Sequence, residues 1–409
     1  MSITGQIESR LLDMSKTRAT DSEYRNFELC LNPNIHFTDN SPITVYDLEE
    51  SLKETHAVRF NLQKIVAIKL TSPLCLHVEL ENKDAQYFHK LTTIQSTILK
   101  KGTSNKELPI GLGPYLLISN TPEKVVLKSF ENYVEGDFKK IEFIIVKEQN
   151  DTFKYQITDN NHNYLFNVPD AFKKESFGIK RMLLKTYSIL IDYKNESSRK
   201  VIRSCLKERG IFHYFTENYS LAENDGLLPK GLLGSDRPEK LTKDPLCQKS
   251  ELKNVRLICT GDKMCNSFKN FLAQESKHLP FKITFEQVSS EKYVQLVQSS
   301  EEIVTLMGND CIDQDSSGFF EGLYGKERYS NIEIPKLKES IIKAALSDND
   351  EEKAKYYRLA NEFVINSGLM LPLGQVVVEQ YYPKSISNLR ILNSTMGYPQ
   401  INLFKVGHE

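Results

Sequence analysis

Apolar and polar residues alternate with a period of two in short runs through the first 150 positions. Phe27, Leu29 and Leu31 share one side of the run 26–34. Ile65, Ala67 and Lys69, then Leu74, Leu76, Val78 and Leu80, repeat the pattern and predict a hairpin of half-buried strands. Residues 36–41 form a polar turn, and a helix is predicted from about Thr44. Thr44 and Asp47 stand three apart as a capping-box variant for it. Residues 83–98 are predicted helical. Residues 124–130 and 140–147 are predicted strands joined by a polar segment, 131–137.

Farther along, Tyr187, Ile189, Ile191 and Tyr193 fall on one face of a strand over 183–194. Val201, Ile202, Cys205 and Leu206 then recur at helical spacing, with Ser197 or Ser198 as the cap. Residues 226–234 form a glycine-rich loop and 235–253 a polar linker. The pattern next predicts strands at 254–259, 281–287 and 303–307, with helices at 264–274 and 291–298 between them. Such a β-α-β-α-β unit builds a parallel sheet whose ligands sit outside the carboxyl ends of its strands. Here those ends are 260–262, 288–290 and 308–310.

Two long helices follow, at 334–346 and 351–366. Leu337, Ile341, Ile342, Ala345 and Leu346 are expected inward on the first, and Tyr356, Leu359, Ala360, Phe363 and Val364 on the second. Asn349 or Asp350 caps the second, and Gly368 ends it. Residues 369–372, 376–378 and 401–406 return to strand.

The 409 residues are 40% hydrophobic and 26% charged, enough to bury a sizeable core in two or three domains. Net charge is -1, so no global field draws the chain toward nucleic acid or acidic lipid, and Lys100-Lys101 and Lys139-Lys140 are only short pairs. Seven cysteines are scattered without a CxxC pair, so most are expected to be free and buried, with Cys259 and Cys265 the one pair spaced for a small bridge. No zinc motif is present and no metal or cofactor is expected. Eight dispersed histidines offer no HExxH, and GxSxG and phosphate-loop motifs are absent too, so no catalytic residue is assigned. The N-terminus lacks a basic run followed by an apolar stretch, and no window approaches a membrane span. Read as a complete chain, it is expected in the cytoplasm.

One segment stands apart from generic folding. Pro109-Ile110-Gly111-Leu112-Gly113-Pro114-Tyr115 packs two glycines and two prolines into seven residues. It resembles the proline-glycine-x-glycine-proline-tyrosine turn of the family 5 extracellular solute-binding proteins, which serve peptide and nickel transport. The stretch from Phe37 through Asp39, Asn40, Pro42, Thr44 and Asp47 is similar to another element of that family, with Asn40 in place of a glycine. Asn132-Tyr133 resembles a third element, shortened, with Val134 where tryptophan is usual. Arg203-Ser204-Cys205-Leu206 looks like an arginine-x-alanine-leucine helix of the family. Gly308-Asn309-Asp310-Cys311-Ile312-Asp313 is similar to a tryptophan-x-x-aspartate-x-x-aspartate-proline element, and Leu371-Pro372-Leu373 to a proline-leucine after the paired helices.

The resemblance implies an α/β, periplasmic-binding-protein-like fold of type II, a Venus flytrap with mixed sheets in two main lobes and an added strand-rich subdomain. Its expected parts are 1–150 as the subdomain, 151–240 with 385–409 as lobe I lacking its first strand, and 241–384 as lobe III. It further implies capture of a small solute, an oligopeptide above all, between closing lobes for delivery to an ABC-transporter permease. A monomer without nucleic-acid partners, periplasmic or at the cell surface, is implied too. Gly308, Asn309, Asp310, Asp313 and Tyr133 are the expected ligand-binding residues, with Asp310 pairing the free ammonium of a peptide. Gly111, Gly113, Pro114 and Tyr115 are expected to be architectural. The alternatives are turn or cap roles for Asp310 and Asp313, and a degenerate sensor or protein-interaction module for the chain. The sequence has no tryptophan, leaving 19 tyrosines and 21 phenylalanines to supply apolar walls.

Overall fold

A computed structural model describes residues 9, 11–58, 64–84, 87–91, 96–103, 108–122, 124–130, 140–144, 155–158, 163–166, 176–218, 221–236, 247, 252–260, 263–299, 301–310, 316–324, 332–347 and 349–383. The chain divides into two units, Met1–Arg181 with Val378–Glu409, and Met182–Val377.

In the first unit, β1 (Arg18–Ala19), β2 (Asn26–Cys30), β3 (Ile65–Ser72) and β4 (Cys75–Leu80) form an antiparallel sheet in the order β1-β2-β4-β3. Period-two alternation sends Phe27, Leu29, Leu76, Val78 and Leu80 into a core against Val45, Leu48 and Leu52 of helix α1 (Val45–Val58). The expected capping box is formed. Thr44 N–H donates to Asp47 Oδ2 at 2.9 Å, and Asp47 N–H donates to Thr44 Oγ1 at 3.4 Å. Along β3 the simple alternation fails, because a register shift between Ile65 and Ala67 turns Val66 outward, while Leu70 stays in register with buried Leu76 but is itself half exposed on the edge strand.

The helix expected over 83–98 is shorter among the described residues. Helix α2 is Tyr87–Leu91, and by Leu99 the chain is extended and bridged to Gly111. A three-stranded sheet of β5 (Tyr115–Asn120), β6 (Lys124–Ser129) and β7 (Lys140–Ile144) follows, then a hairpin of β8 (Tyr155–Thr158) and β9 (Asn163–Phe166). Strand β10 (Ser176–Asp192) begins in the first unit and ends in the second.

The second unit is built on one six-stranded sheet, ordered β11-β15-β10-β14-β12-β13. Its elements are α3 (Glu196–Glu208), α4 (Ile211–Asn218), β11 (Leu221–Ala222), β12 (Asn254–Thr260), α5 (Lys263–Glu275), β13 (Lys282–Val288), α6 (Ser290–Val297), β14 (Ile303–Asp310), α7 (Glu321–Tyr324), α8 (Pro335–Leu346), α9 (Asp350–Asn366) and β15 (Met370–Pro383). Strand β12 is parallel to both β13 and β14, as the alternating pattern predicted, while β10 runs antiparallel to β14. One face of the sheet packs Ile189, Ile191 and Val304 against α3, α4 and α5, through residues such as Ile202, Phe215 and Phe268. The other packs Leu190 and Met307 against α8 and α9, through Leu337, Ile341, Ala360 and Val364.

Details of the helices differ from the sequence expectation. Asn195, not Ser197 or Ser198, caps α3, accepting from Ser198 N–H at 3.2 Å, because the helix starts one to two residues before either serine could serve. Asn349 caps α9, and Gly368 at φ +75° ends it. On α8 the buried stripe is Leu337, Ser340, Ile341 and Ala344, while Ile342 and Leu346 are 48% and 40% exposed. The 3.6-residue period leaves room for a narrower face than the apolar content suggests. On α9, Tyr357, Ala360, Val364 and Ile365 are buried, a face turned slightly from the expected one.

The cysteines overturn the expectation that most are free. Cys30–Cys75, Cys205–Cys247 and Cys259–Cys265 are disulfides, with Cα separations of 4.1, 4.7 and 5.7 Å. Long sequence spacing concealed the first two pairs, since β-pairing makes Cys30 and Cys75 direct neighbours. Cys311 and the strand expected at 401–406 lie outside the described residues.

Candidate functional site

The site predicted at the carboxyl end of β14 is in the ladder itself. The strand continues through Asp310 rather than ending at Met307, with Gly308, Asn309 and Asp310 in register with Tyr187, Thr186 and Lys185. Added pairing with the 17-residue β10 extends it.

Alternation separates Gly308 from Asn309. Gly308 is exposed on the face shared with Tyr187, where an added Cβ would lie 3.1 Å from Tyr187 Cε1 and 3.5 Å from Lys185 Cε. Its missing side chain lets the aromatic ring and the lysine stem lie over the strand, and Lys185 Nζ stands 5.7 Å from the Tyr187 ring centre. Asn309 belongs to the opposite, core-facing side with Thr186, Ser188 and Thr305. There Thr186 Oγ1 donates to Leu227 O at 2.8 Å, while Asn309 Nδ2, Ser188 Oγ and Thr305 Oγ1 are buried without a hydrogen-bond partner among the described residues. The central strand pair therefore carries a polar row inside an otherwise apolar layer. Asp310 stands opposite Lys185 in the ladder. Asp313 and Tyr133 lie outside the described residues. Lys185 and Tyr187 were not among the expected site residues; their alternation on the strand before the first helix of this unit was the available signal.

The glycine-proline turn is a meeting point of main-chain bonds in the first unit. Gly111 O accepts from Thr38 N–H at 3.0 Å, Ile110 O from Lys100 N–H at 2.8 Å and Pro114 O from Phe130 N–H at 2.9 Å. Two segments quoted for the family resemblance, 37–47 and 109–115, are thus bonded to each other directly. Lys100 Nζ adds an ion pair to Asp39 Oδ2 at 2.6 Å. Partial burial works to raise the Asp39 carboxyl, but the bonds from Lys100 and Ser41 outweigh it and hold the group at about 2. Asn40 beside it has φ +66°, the left-handed conformation that asparagine tolerates in place of glycine. Burial pushes the Tyr115 phenol well above the usual tyrosine range.

Arg203, in another of those segments, is a buried cation placed at a helix end. Its guanidinium donates to Ile365 O, and Arg199 Nε donates to Ser367 O at 2.8 Å. Both arginines satisfy carbonyls at the C-terminus of α9, where positive charge also complements the helix dipole.

Residues 16–172 match the family model described as bacterial extracellular solute-binding proteins, family 5 Middle. That match spans strands β1 to β9 of the first unit and the glycine-proline turn, including two of the segments quoted for the resemblance, 37–47 and 109–115. Solved structures share the fold of this chain across nearly its whole length. NikA from Staphylococcus aureus in complex with Ni(L-His)2 superposes with TM-score 0.72 at 15% identity, covering 99% of this chain and 92% of its own. The binding protein DppA from Helicobacter pylori, in complex with the peptide STSA, gives 0.73 at 13% identity over 97% and 88%. AgaA from A. tumefacien R10, in complex with agropinic acid, gives 0.73 at 14% identity over 100% and 91%. No curated protein matches the sequence. The mixed α/β fold of type II periplasmic binding proteins is therefore established.

Proposed function

We propose that the chain is a family 5 solute-binding protein that binds an oligopeptide and delivers it to the permease of an ABC transporter, as a monomer working outside the cytoplasm. The observation that carries the peptide reading is the position of Asp310, last residue of the parallel strand β14 and opposite Lys185. An aspartate at the carboxyl end of such a strand is placed to meet a ligand, and a charge-assisted bond to a peptide ammonium is about twice as strong as a neutral one. Gly308, Tyr187 and Lys185 beside it supply an aromatic surface and a cation for the rest of a zwitterionic ligand. Three disulfides support an oxidising location. The tripartite division at 150, 240 and 384 stays part of this proposal, with Asp313 and Tyr133 as further ligand residues.

Asp310→Asn tests the reading. Calorimetry with a peptide that binds the unaltered protein should show affinity reduced at least about tenfold, roughly 1.4 kcal/mol. Unchanged affinity would remove Asp310 from the site.

A further inference from the structure

The outer face of the first sheet brings three metal-type ligands together on two neighbouring strands, with His77 next to one of them. Cys30 faces Cys75, and Glu28 faces His77, across β2 and β4. Leu31 N–H donates to Leu74 O at 2.7 Å, so ladder alternation places both pairs where main-chain bonds are absent and side chains approach most closely. A carboxylate oxygen of Glu28 and the sulfurs of Cys30 and Cys75 lie within 4.8 Å of one another. His77 Nδ1 is 3.9 Å from Glu28 Oε2.

Surrounding bonds orient two of these groups. Asn26 Nδ2 donates to Asp21 Oδ2 at 2.7 Å, which leaves Asn26 Oδ1 facing His77 Nε2 at 3.1 Å. An amide oxygen can only accept, so Nε2 carries a ring proton, and Nδ1 is the ring nitrogen turned toward Glu28. A hydrogen bond from the other ring nitrogen is also what fixes a histidine ligand in metal sites. Thr71 Oγ1 donates to the second carboxylate oxygen of Glu28. Arg18 is in register with Glu28 and Lys69 with His77. These cations offset the single net negative charge that a divalent ion, two thiolates and one carboxylate would carry together.

We propose that the thiol form of Cys30 and Cys75, with Glu28 and His77, is a four-coordinate zinc site. Thiolate, imidazole and carboxylate are the ligands zinc takes tetrahedrally, and two sulfurs select it over calcium or magnesium. The disulfide and the ion exclude each other. Exchange with a dithiol breaks the Cys30–Cys75 bond, and the dithiol supplies both electrons and leaves as its own disulfide. The two freed thiols then lose two protons as two sulfur–zinc bonds form. Run backward, the same exchange ejects the ion. The site is independent of the solute reading, since none of its residues belongs to the β14 constellation.

The test uses the full chain, oxidised or reduced with a water-soluble phosphine, titrated with zinc against a chromophoric competitor and with cobalt for its visible spectrum. The oxidised protein should bind neither ion tightly here. The reduced protein should bind one ion in this site with the intense visible bands of tetrahedral, sulfur-ligated cobalt. The Cys30→Ser/Cys75→Ser variant should lose that ion, while Cys259→Ser/Cys265→Ser and Cys205→Ser/Cys247→Ser should keep it. Glu28→Gln and His77→Gln should each weaken it at least about tenfold. Should the double serine variant not fold, His77→Gln decides, because it leaves the cysteine pair intact. A reduced protein without a tightly bound ion, or equal binding by the His77→Gln variant, would overturn the proposal.

Discussion

Gly234 sits where chain direction and close approach act on the same residue. Its φ is +77°, and an added Cβ would lie 2.6 Å from Tyr357 Cβ and 2.8 Å from Ala354 O on α9. Gly102 has a similar φ of +71° with nothing within 4 Å of such a Cβ. The pair separates two costs. Gly102→Ala is expected to lose about 1 kcal/mol, the price of left-handed backbone alone, and Gly234→Ala at least about 2 kcal/mol more, since backbone on α9 must also shift. Urea unfolding of both variants measures the difference, and equal losses would show that α9 yields to the methyl group. Asn40 was legible at this scale because asparagine is one of few residues that accept positive φ. The cap at Asn195 was hidden by two serines next to it, which compete equally well as acceptors in sequence.

At the scale of elements, β7 holds its carboxylate by two lysines from the same small sheet. Glu142 is 2.8 Å from both Lys124 and Lys140, and these bonds lower its carboxyl from the ordinary 4.5 to about 2. A depressed carboxyl contributes stability that is present above about pH 4.5 and lost as pH falls through about 2. Lys124→Ala should raise the Glu142 midpoint, and the acid loosening of this sheet should begin at higher pH. Carbon NMR titration of the Glu142 carboxyl gives the answer; an unmoved midpoint would mean that Lys140 alone holds it.

The alternating unit 254–307 was the most legible part of the chain, because short apolar parallel strands and amphipathic helices have distinct periods. The bulges of β3 and the extended bridge at Leu99 were not legible, since each depends on a partner strand distant in sequence. The same holds for the candidate site. Residues 308–310 were found from their spacing, but that β10 pairs with them, and so brings Lys185 and Tyr187 alongside, is long-range information.

For the whole molecule, the disulfides act on the unfolded chain. Sequence separations of 45, 42 and 6 residues predict unequal worth. In the chain-entropy description, losing Cys205–Cys247 costs about 4 kcal/mol and losing Cys259–Cys265 about 2 kcal/mol. Paired serine variants compared by calorimetric melting check this, and the reverse order would show that local packing outweighs loop closure. The type II binding-protein fold itself was legible from ordered motifs spread over the chain, although no segment of it names the solute.

The most direct test of the account is the melting temperature of the purified chain with a peptide pool, with nickel chelates and with other small solutes. A solute that binds only the folded protein stabilises it by about 2.7 kcal/mol at a hundredfold excess over Kd. The peptide pool should raise the melting temperature, and Asp310→Asn should reduce the rise. Absence of a shift with every class of solute would contradict the assignment as a working solute-binding protein, and a shift with nickel chelates alone would contradict the peptide.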